Sequence, residues 1–537
     1  MTSGRRAKGT TGGTTGGQAR GLLKAGVALV ALAMIALALA RLLAPLSDLT
    51  VEDATVGRTP VTVFRATGEG PPGPAVVVAH GFAGSRQLMQ SYAIALARAG
   101  YVAVTYDALG HGRHPDPLPG NLTEVTGATV YLLKQLDAIV GYARVLSPGH
   151  DRVALLGHSM ASDIVVRQAG DDHEAYAGVV AVSMFSPVVT ADVPPNLLVV
   201  VGGLEPQVLK DEAARVVGMV ADDDPPHWGV TYGDFEAGSA RRMAISPGVE
   251  HIGVLFGRAG ITEAVAWLDQ AFGRTGGAAP EPPARGRWVL VLLLGVVVLA
   301  WPAASLLPRV MPSGAAEPGA GVPWRRFWPV AMVPAVLTPL ILWPLPTDWL
   351  PVLVGDYLLL HFGLYGALSG LGLLWLRWRA PRQGPPSVRP YWGRFAVATL
   401  ALGAFAMVGL GGPIELFVAN FLPTPEHAWL VPAMMLGTVP FFLIDETLTR
   451  GPGRARGAYT ATKLLFLLSL VPAIALDLNS LFFLIILFPV IALFFGLFGL
   501  FSAWSRRATG HPWVAGLVAA FVFAWCVAVT FPIVSGA

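Results

Sequence analysis

The distribution of apolar residues divides this sequence into two unlike parts. From residue 288 to the carboxyl end, long apolar runs follow one another and are separated by short polar loops. A run of about 20 apolar residues is what a helix needs to cross the hydrocarbon core of a bilayer. Residues 50–275 instead have the mixed composition of a globular domain and contain most of the acidic side chains. The sequence therefore predicts a globular domain at 45–275 followed by an all-α membrane domain of about eight spans at 288–537.

The segments that flank the globular domain are also distinctive. Residues 1–20 are rich in Gly and Thr, which predicts a disordered cytoplasmic tail. Residues 21–44 are apolar and follow several basic residues, so they are either a transmembrane anchor or a signal peptide cleaved near the "ALA" at 38–40. The anchor is the favoured interpretation, and either one places the globular domain outside the cytoplasm. The Gly/Pro-rich segment 276–287 is the expected linker.

The basic residues of the membrane half predict its orientation. Alternate loops contain Arg309, Arg325, Arg326, Arg377, Arg379, Arg382, Arg389, Arg394, Arg450, Arg454, Arg456, Lys463, Arg506 and Arg507. The loops between them, at 346–349, 422–427 and 476–480, contain neither Lys nor Arg. This is the positive-inside pattern of a multi-pass plasma-membrane protein whose amino terminus is cytoplasmic. Arg285 and Arg287 disagree with it, because they precede the first C-terminal span on the outer side.

Composition also limits the partners. Only 13% of the residues are charged, and no basic surface with interleaved aromatic residues is present, so nucleic-acid binding is not expected. No phosphate-binding loop, haem pair or metal-ligand cluster occurs, and we therefore predict no cofactor and no metal. The single cysteine, Cys526, rules out an intrachain disulfide. The expected partners are the lipid bilayer and a small-molecule or lipid acyl substrate, and the oligomeric state is left open.

Strands and helices alternate along the globular part. Short Val/Leu/Ala runs predict strands at 75–80, 101–107, 152–157, 177–185, 196–203 and 241–248. Helical periodicity predicts helices at 86–100, 123–146, 161–169, 208–220 and 261–273. Continuous apolar strands separated by helices indicate a mostly parallel sheet that is covered by helices on both faces.

Ser159 lies in the sequence "LLGHSMA" at 155–161, where a predicted strand turns into a predicted helix. The pattern G-x-S-x-A differs only at its last position from the G-x-S-x-G of a nucleophile elbow, which exposes a serine hydroxyl above the sheet edge. Gly157 leaves room for the sharp turn. The alternative is a serine that only caps the helix amino terminus. The nucleophile is the favoured interpretation.

Four segments together resemble the α/β-hydrolase superfamily. They are "VVVAHGFAGS" at 76–85, "YDALGHGRH" at 106–114, "LLGHSMA" at 155–161 and "VEHIGVLF" at 249–256. The resemblance implies an α/β-hydrolase fold for residues 50–275 and does not extend to the membrane half. It also implies a serine nucleophile, a histidine base, a carboxylate and an oxyanion hole, in the chain order Ser, acid, His.

The resemblance assigns the base to His251, after the last strand, and the acid to Glu205, where the family usually has Asp. Glutamate can orient an imidazole in the same way, although its side chain is longer. Backbone N–H groups of Phe82 and Met160 are the implied oxyanion donors. His80 and Gly81 form the turn that precedes Phe82 and, with Gly157, are supporting residues.

Several ionisable residues lie inside predicted spans: Asp356, His361 and Glu415, with Asp445 and Glu446 near the inner end of another span. Such residues are expensive in a membrane and often functional. They could line a polar conduit to Ser159, or they could make ordinary hydrogen bonds between helices, which is the favoured interpretation.

The sequence thus predicts a membrane-integrated serine hydrolase that cleaves an ester or related acyl bond. One alternative is an acyltransferase with the same triad, and another is a non-catalytic binding module of a transporter-like protein. A peptidase stays open as well.

Overall fold

The computed structural model describes residues 12–68, 70–120, 125–274, 281–347, 349–379 and 388–535. Its first half, residues 49–274, is organised around a β-sheet and is called the sheet domain below. The remaining helices, including the first, are called the helical domain.

The sheet domain contains a nine-stranded sheet in the order β1-β2-β4-β3-β6-β7-β8-β10-β9. Its strands are β1 (Leu49–Val56), β2 (Thr59–Ala66), β3 (Ala75–Ala79), β4 (Val102–Tyr106), β6 (Val153–His158), β7 (Tyr176–Val182), β8 (Leu197–Gly202), β9 (Thr231–Tyr232) and β10 (Arg241–Ser246). The six strands from β4 to β10 run parallel, whereas β1, β2 and β9 pair antiparallel with their neighbours. The parallel strands are buried along their whole length, with β10 the partial exception, as expected for a sheet covered on both faces.

Helices cover both faces of this sheet. They are α2 (Gln90–Arg98), α3 (Val130–Leu146), α4 (Met160–Asp171), α5 (Gln207–Gly218) and α6 (Arg258–Ala271). The first and last pack on one face around Tyr92 and Trp267, and the other three pack on the opposite face. The predicted fold class is confirmed. The β1–β2 hairpin lies outside the strands predicted from the sequence, because its outward-facing residues interrupt the apolar run.

The helical domain follows in the chain, except for α1 (Gly12–Leu43), which precedes the sheet. Its other helices are α7 (Arg285–Ala303), α8 (Trp324–Leu342), α9 (Gly355–Arg379), α10 (Trp392–Ala406), α11 (Gly412–Phe417), α12 (Pro425–Ala428), α13 (Leu430–Thr449), α14 (Ala458–Leu476), α15 (Leu478–Leu481), α16 (Phe483–Thr509) and α17 (Trp513–Thr530). The short strand β11 (Val534–Ser535) pairs with β5 (Leu118–Pro119) of the sheet domain.

Eight helical segments of the described residues are long and apolar enough to cross a membrane. They are Gln18–Leu46, Arg285–Leu306, Gly355–Arg379, Trp392–Phe417, Pro425–Thr449, Ala458–Leu476, Phe483–Thr509 and Trp513–Thr530. Helix α8 is not among them, since Arg325, Arg326 and three prolines lower its hydropathy. It is nevertheless a helix of 19 residues packed against α9 and α14.

Two expected boundaries differ in the structure. Helix α1 begins at Gly12, so residues 12–20 are helical and not disordered, while residues 1–11 lie outside the described part. Extending a helix from an apolar segment costs much less than nucleating a new one, which explains why it continues into the Gly/Thr stretch. Helix α7 begins at Arg285, inside the expected linker at 276–287. Residues 276–280 of that linker lie outside the part of the chain that the structure describes.

Candidate active site

Ser159 occupies a strained turn between β6 and α4. Its backbone has φ +52° and ψ −118°, a region that non-glycine residues rarely adopt. The turn is held by the Ser159 N–H, which donates to the Val182 carbonyl at 2.9 Å. Its hydroxyl makes no capping hydrogen bond to α4, which leaves no support for a purely capping serine. Strain of this kind persists where the surrounding structure holds a functional residue in place.

Gly157 permits this turn because helix and strand approach closely there. A Cβ at this position would lie 2.4 Å from the Ala161 carbonyl oxygen and 2.7 Å from a Val165 methyl group. Any larger residue would push α4 away from β6 and with it the amide of Met160.

The structure brings the three triad candidates together. The Ser159 Oγ lies 3.0 Å from His251 Nε2, and His251 Nδ1 lies 2.6 Å from Glu205 Oε1. His251 follows β10 and folds back over the sheet edge, and Glu205 follows β8. A base in this arrangement can accept the serine proton at Nε2 while the carboxylate fixes its tautomer through the Nδ1 proton.

Glu205 is itself held by two further donors. Its side chain is fully buried, and Oε2 accepts hydrogen bonds from the Gly202 N–H at 2.6 Å and the Ser183 hydroxyl at 3.0 Å. Gly202 leaves the space, since a Cβ there would lie 3.1 Å from Glu205 Cγ. The longer glutamate chain is thus accommodated and oriented. Ser183 was not found from the sequence, where nothing distinguishes it from other residues after β7.

The candidate oxyanion donors flank Ser159. Met160 is the first residue of α4, so its N–H has no acceptor within the helix. Phe82 follows Gly81, where an added Cβ would lie 3.0 Å from Ser159 Cβ, and this close approach brings the Phe82 loop near the nucleophile. Both amides therefore belong to segments that lie next to the Ser159 side chain.

His80 fixes the loop that carries Phe82. Its Nδ1 donates to the Gly81 carbonyl at 2.8 Å, and its Nε2 accepts from the Ala108 N–H at 3.0 Å. Complete burial lowers the pKa of His80, and Asp107 only partly opposes this effect. The ring is therefore a neutral linker between the loops after β3 and β4 and not a general base.

His158 has a role that sequence reasoning missed. Its Nε2 lies 3.0 Å from the His251 carbonyl oxygen, and because a carbonyl can only accept, this nitrogen carries the proton. The two imidazole rings are 4.9 Å apart. Burial, and then the neighbouring His251, lower the pKa of His158 to about 3, so it stays neutral. It positions the loop of His251 and is not catalytic.

The polar residues of the helical domain have other partners. Glu415 forms an ion pair with Arg113 and accepts from Gln87 at 3.3 Å, so it joins the two domains. His361 bonds to Tyr357 at 3.1 Å and Ser469 at 2.8 Å within the helical bundle. The Asp356 carboxylate accepts from the backbone N–H groups of residues 349 and 350. Within the described part of the chain, none of the three hydrogen-bonds to Ser159, His251 or Glu205.

Topology and site geometry identify the fold. A mostly parallel sheet carries a strained serine after one strand, a carboxylate after a later strand and a histidine after the last parallel strand. The sheet domain has the α/β-hydrolase fold. Residues 70–217 match the family model Hydrolase_4, described as serine aminopeptidase, S33. The described residues contain no group of three or more His, Cys, Asp and Glu side chains that could hold a metal ion.

Comparisons with other proteins add the following similarities. A hypothetical protein from Pseudomonas aeruginosa is 11% identical, with a TM-score of 0.32 over 42% of this chain and 94% of that one. A predicted CIB-like hydrolase from Thermoplasma acidophilum is 16% identical, with a TM-score of 0.31 over 42% and 98%. A putative lipase from Acinetobacter baumannii is 13% identical, with a TM-score of 0.31 over 44% and 96%. No curated protein matches the chain.

Proposed function

We propose that this chain is a membrane-integrated serine hydrolase that cleaves an ester or related acyl bond. The observation that carries the proposal is the chain of contacts from Ser159 Oγ through His251 to Glu205, at 3.0 and 2.6 Å, on a strained turn. A serine that only caps a helix does not need such a turn, because N-cap residues usually have extended φ and ψ angles.

The first half of the reaction is acylation of Ser159. Its oxygen attacks the substrate carbonyl while His251 Nε2 takes the hydroxyl proton, and Glu205 stabilises the imidazolium that forms. The carbonyl π electrons move to oxygen, and the N–H groups of Phe82 and Met160 donate to that oxyanion. Each such donor is typically worth about 3 kcal/mol of transition-state stabilisation. The intermediate collapses, and His251 gives the proton to the departing alcohol.

The second half returns the enzyme to its starting state. Water attacks the acyl-serine while His251 takes its proton, and collapse of the second intermediate releases the acid and re-protonates Ser159. An acceptor alcohol or amine in place of water would make the protein an acyltransferase with the same residues. Product analysis in the presence of added alcohols separates these two reactions.

Integration in a membrane is supported by the candidate spans and by the arrangement of the basic loops. Residue Val310 bonds to Thr509 at 2.8 Å and to Tyr391 at 2.9 Å, and Gly321 bonds to Arg450 at 2.9 Å. These contacts bring the loops rich in Arg to one end of the bundle, while Glu415 and β11 contact the sheet domain at the other. By the positive-inside rule, we propose that the basic end is cytoplasmic and the sheet domain extracytoplasmic.

Fluorophosphonate labelling in membranes tests the proposal. The parent and Ser239→Ala, a control in a surface loop, should label, whereas Ser159→Ala and His251→Ala should not. Failure of well-folded parent protein to label would refute catalysis and leave the non-catalytic module. Hydrolysis of p-nitrophenyl butyrate and of an amino-acid p-nitroanilide then separates an esterase from the aminopeptidase activity named in the matching family.

A further inference from the structure

The sheet edge that carries the triad faces the helical domain. In a parallel sheet the carboxyl ends of the strands share one edge, where the loops after them form the site. The loop after β3 contacts the helical domain through Ser85, whose hydroxyl accepts from the Asn420 N–H at 3.0 Å. The loop after β4 contacts it through the Gly112 carbonyl, which accepts from the Asn420 side chain at 3.2 Å.

A third contact lies on the other side of the triad. Phe256, in the loop after β10, packs against Gly286 at the start of α7, where an added Cβ would lie only 2.8 Å from the Phe256 Cβ. The helical domain therefore meets the loops after β3, β4 and β10. Ser159 and Glu205 follow strands β6 and β8, which lie between β3 and β10 in the sheet.

The same edge carries exposed apolar side chains beside the triad. We call them the apolar rim: Phe185, Leu204, Val208 and Ile252. Their exposed fractions are 59%, 68%, 57% and 39%. They follow β7, β8 and β10, and two of them are direct neighbours of Glu205 and His251. Single exposed apolar residues need no explanation, but several at one edge, continuous with a domain contact, indicate a surface that is covered in use.

The position of α16 indicates what covers it. This candidate span begins at Phe483, whose ring stacks on that of Phe82 in the loop next to Ser159, with ring centroids 4.0 Å apart. The first residue of a candidate membrane span thus contacts the loop that carries the candidate oxyanion donor Phe82. In the membrane orientation proposed above, the remaining part of the same sheet edge, including the apolar rim, would face the bilayer surface beside the bundle.

We propose that the apolar rim lies in the lipid leaflet next to the sheet domain, and that the substrate is an amphiphilic ester with a long acyl chain taken from that leaflet. The substrate part of this inference rests on the proposed hydrolase function. Burial of apolar side chains in the leaflet is favourable and holds the triad at the depth of the ester groups. A substrate can then move from the leaflet to Ser159 without its chain crossing water.

Quenching by lipid-borne nitroxide tests the placement without any catalytic readout. In a Cys526→Ala background, a fluorophore is attached to Leu204→Cys or Phe185→Cys, and the full-length protein is reconstituted in phosphatidylcholine vesicles containing a headgroup-region nitroxide lipid. Val145→Cys is the matched control, because Val145 is 76% exposed but lies at the end of α3 that leads to the opposite sheet edge. We expect at least about twofold stronger quenching at the rim sites. Equal quenching at all three sites would overturn the placement.

The substrate class is tested by a ratio of two activities. The parent and a Phe185→Ser/Leu204→Ser variant are assayed with p-nitrophenyl palmitate in the vesicles and with soluble p-nitrophenyl butyrate. We expect the variant to lower the palmitate-to-butyrate ratio about tenfold, because the rim acts only on substrate drawn from lipid. An unchanged ratio would overturn the inference, whereas rim quenching without hydrolysis of either ester would count against the proposed function alone.

Discussion

The ring of Phe82 stacks on the ring of Phe483 with centroids 4.0 Å apart and an interplanar angle of 21°. Phe82 supplies a candidate oxyanion donor from the sheet domain, and Phe483 is the first residue of α16. The rings of His111 and Phe82 are nearly perpendicular, at 86°, with centroids 5.7 Å apart. The Phe82 ring thus contacts residues of both domains, so the helical domain forms part of the surroundings of the candidate site.

The first prediction concerns this stack. Replacing Phe483 by Ala removes one aromatic partner, which is worth about 0.5–1.5 kcal/mol beyond burial in such pairs. Because the loss acts on the loop that carries the Phe82 N–H, the rate of fluorophosphonate labelling should fall about 2- to 10-fold.

Leu478→Ala is the control for this change. Leu478 is 53% exposed in the adjacent turn, so its loss should leave the labelling rate within about twofold of the parent. Equal rates for Phe483→Ala and the parent would mean that the stack does not position the donor.

The second prediction concerns the acid. In Glu205→Gln, the amide cannot stabilise the imidazolium and can favour the wrong tautomer of His251, so kcat should fall about 10³- to 10⁴-fold. Glu205→Asp keeps the charge but shortens the side chain, which breaks the 2.6 Å contact to Nδ1 or the two bonds to Oε2. We expect an intermediate loss in steady-state ester hydrolysis. Full activity of the Glu205→Asp variant would show that catalysis does not depend on the length of the acidic side chain at this position.

Much of this site was predictable because it depends on local chain geometry. A strand, a glycine and a serine before a helix force the hydroxyl to the sheet edge, so "LLGHSMA" is informative without any tertiary contact. The choice of Glu205 and His251 instead came from the resemblance to α/β-hydrolases, in which the acid and the base follow later strands. The fold class could be predicted for the same reason, since continuous Val and Leu runs need cover on both faces.

The remaining features of the site and of the domain contact could not be predicted, because they depend on contacts between residues that are far apart in the chain. Phe483 lies in an apolar run that looks like any other span, and only packing brings it to Phe82. Arg285 contradicted the charge pattern, yet it is buried and donates to the Leu42 carbonyl at 3.2 Å and the Gln90 side chain at 2.8 Å. An arginine that joins α1, α7 and the sheet domain does not act as a free charge at the membrane surface.

The third prediction concerns the ion pair between Arg113 and Glu415. Arg113 is 39% exposed, so solvent screens the pair and its coupling energy should be about 1 kcal/mol or less. Glu415 also accepts from the N–H groups of Phe421 and Leu422, at 2.6 and 2.9 Å. We therefore expect Glu415→Gln to lower the thermal midpoint more than Arg113→Met does. The reverse order would show that the ion pair between the domains contributes more to stability than the hydrogen bonds from the backbone N–H groups of Phe421 and Leu422 to Glu415.

The fourth prediction is a loss of stability in acid. Burial lowers the pKa of His111 and of His158 to about 3, from the usual 6.5. The unfolded chain therefore binds more protons between these values, and stability that is present above pH 6.5 is lost as the pH falls towards 3. Each histidine changes the free energy of unfolding by up to about 1.4 kcal/mol per pH unit in this range.

Thermal unfolding of the parent and of His111→Gln across this pH range measures the direction and the size of the predicted loss of stability. The variant should lose less stability than the parent between pH 6.5 and 4, because its side chain does not titrate. Parallel curves for the two proteins would contradict a neutral, buried His111.

The last prediction follows from the parity of the crossings. Arg285 at the start of α7 and Val534 in β11 both contact the sheet domain. If that domain lies on one side of a bilayer, as proposed above, the chain between these residues crosses the bilayer an even number of times. The described residues between them contain seven candidate spans, which is an odd number. If all seven of these segments cross the bilayer, we predict that helix α8 crosses as well, although its hydropathy is lower. Its first turn lies near the basic loops, while Leu342 lies at the other end of the helix. In a Cys526→Ala background, cysteines at Trp324 and Trp343 should therefore react with a membrane-impermeant maleimide from opposite sides of sealed vesicles. If both cysteines react from the same side, α8 does not cross the bilayer, and the prediction of an even number of crossings between Arg285 and Val534 is wrong.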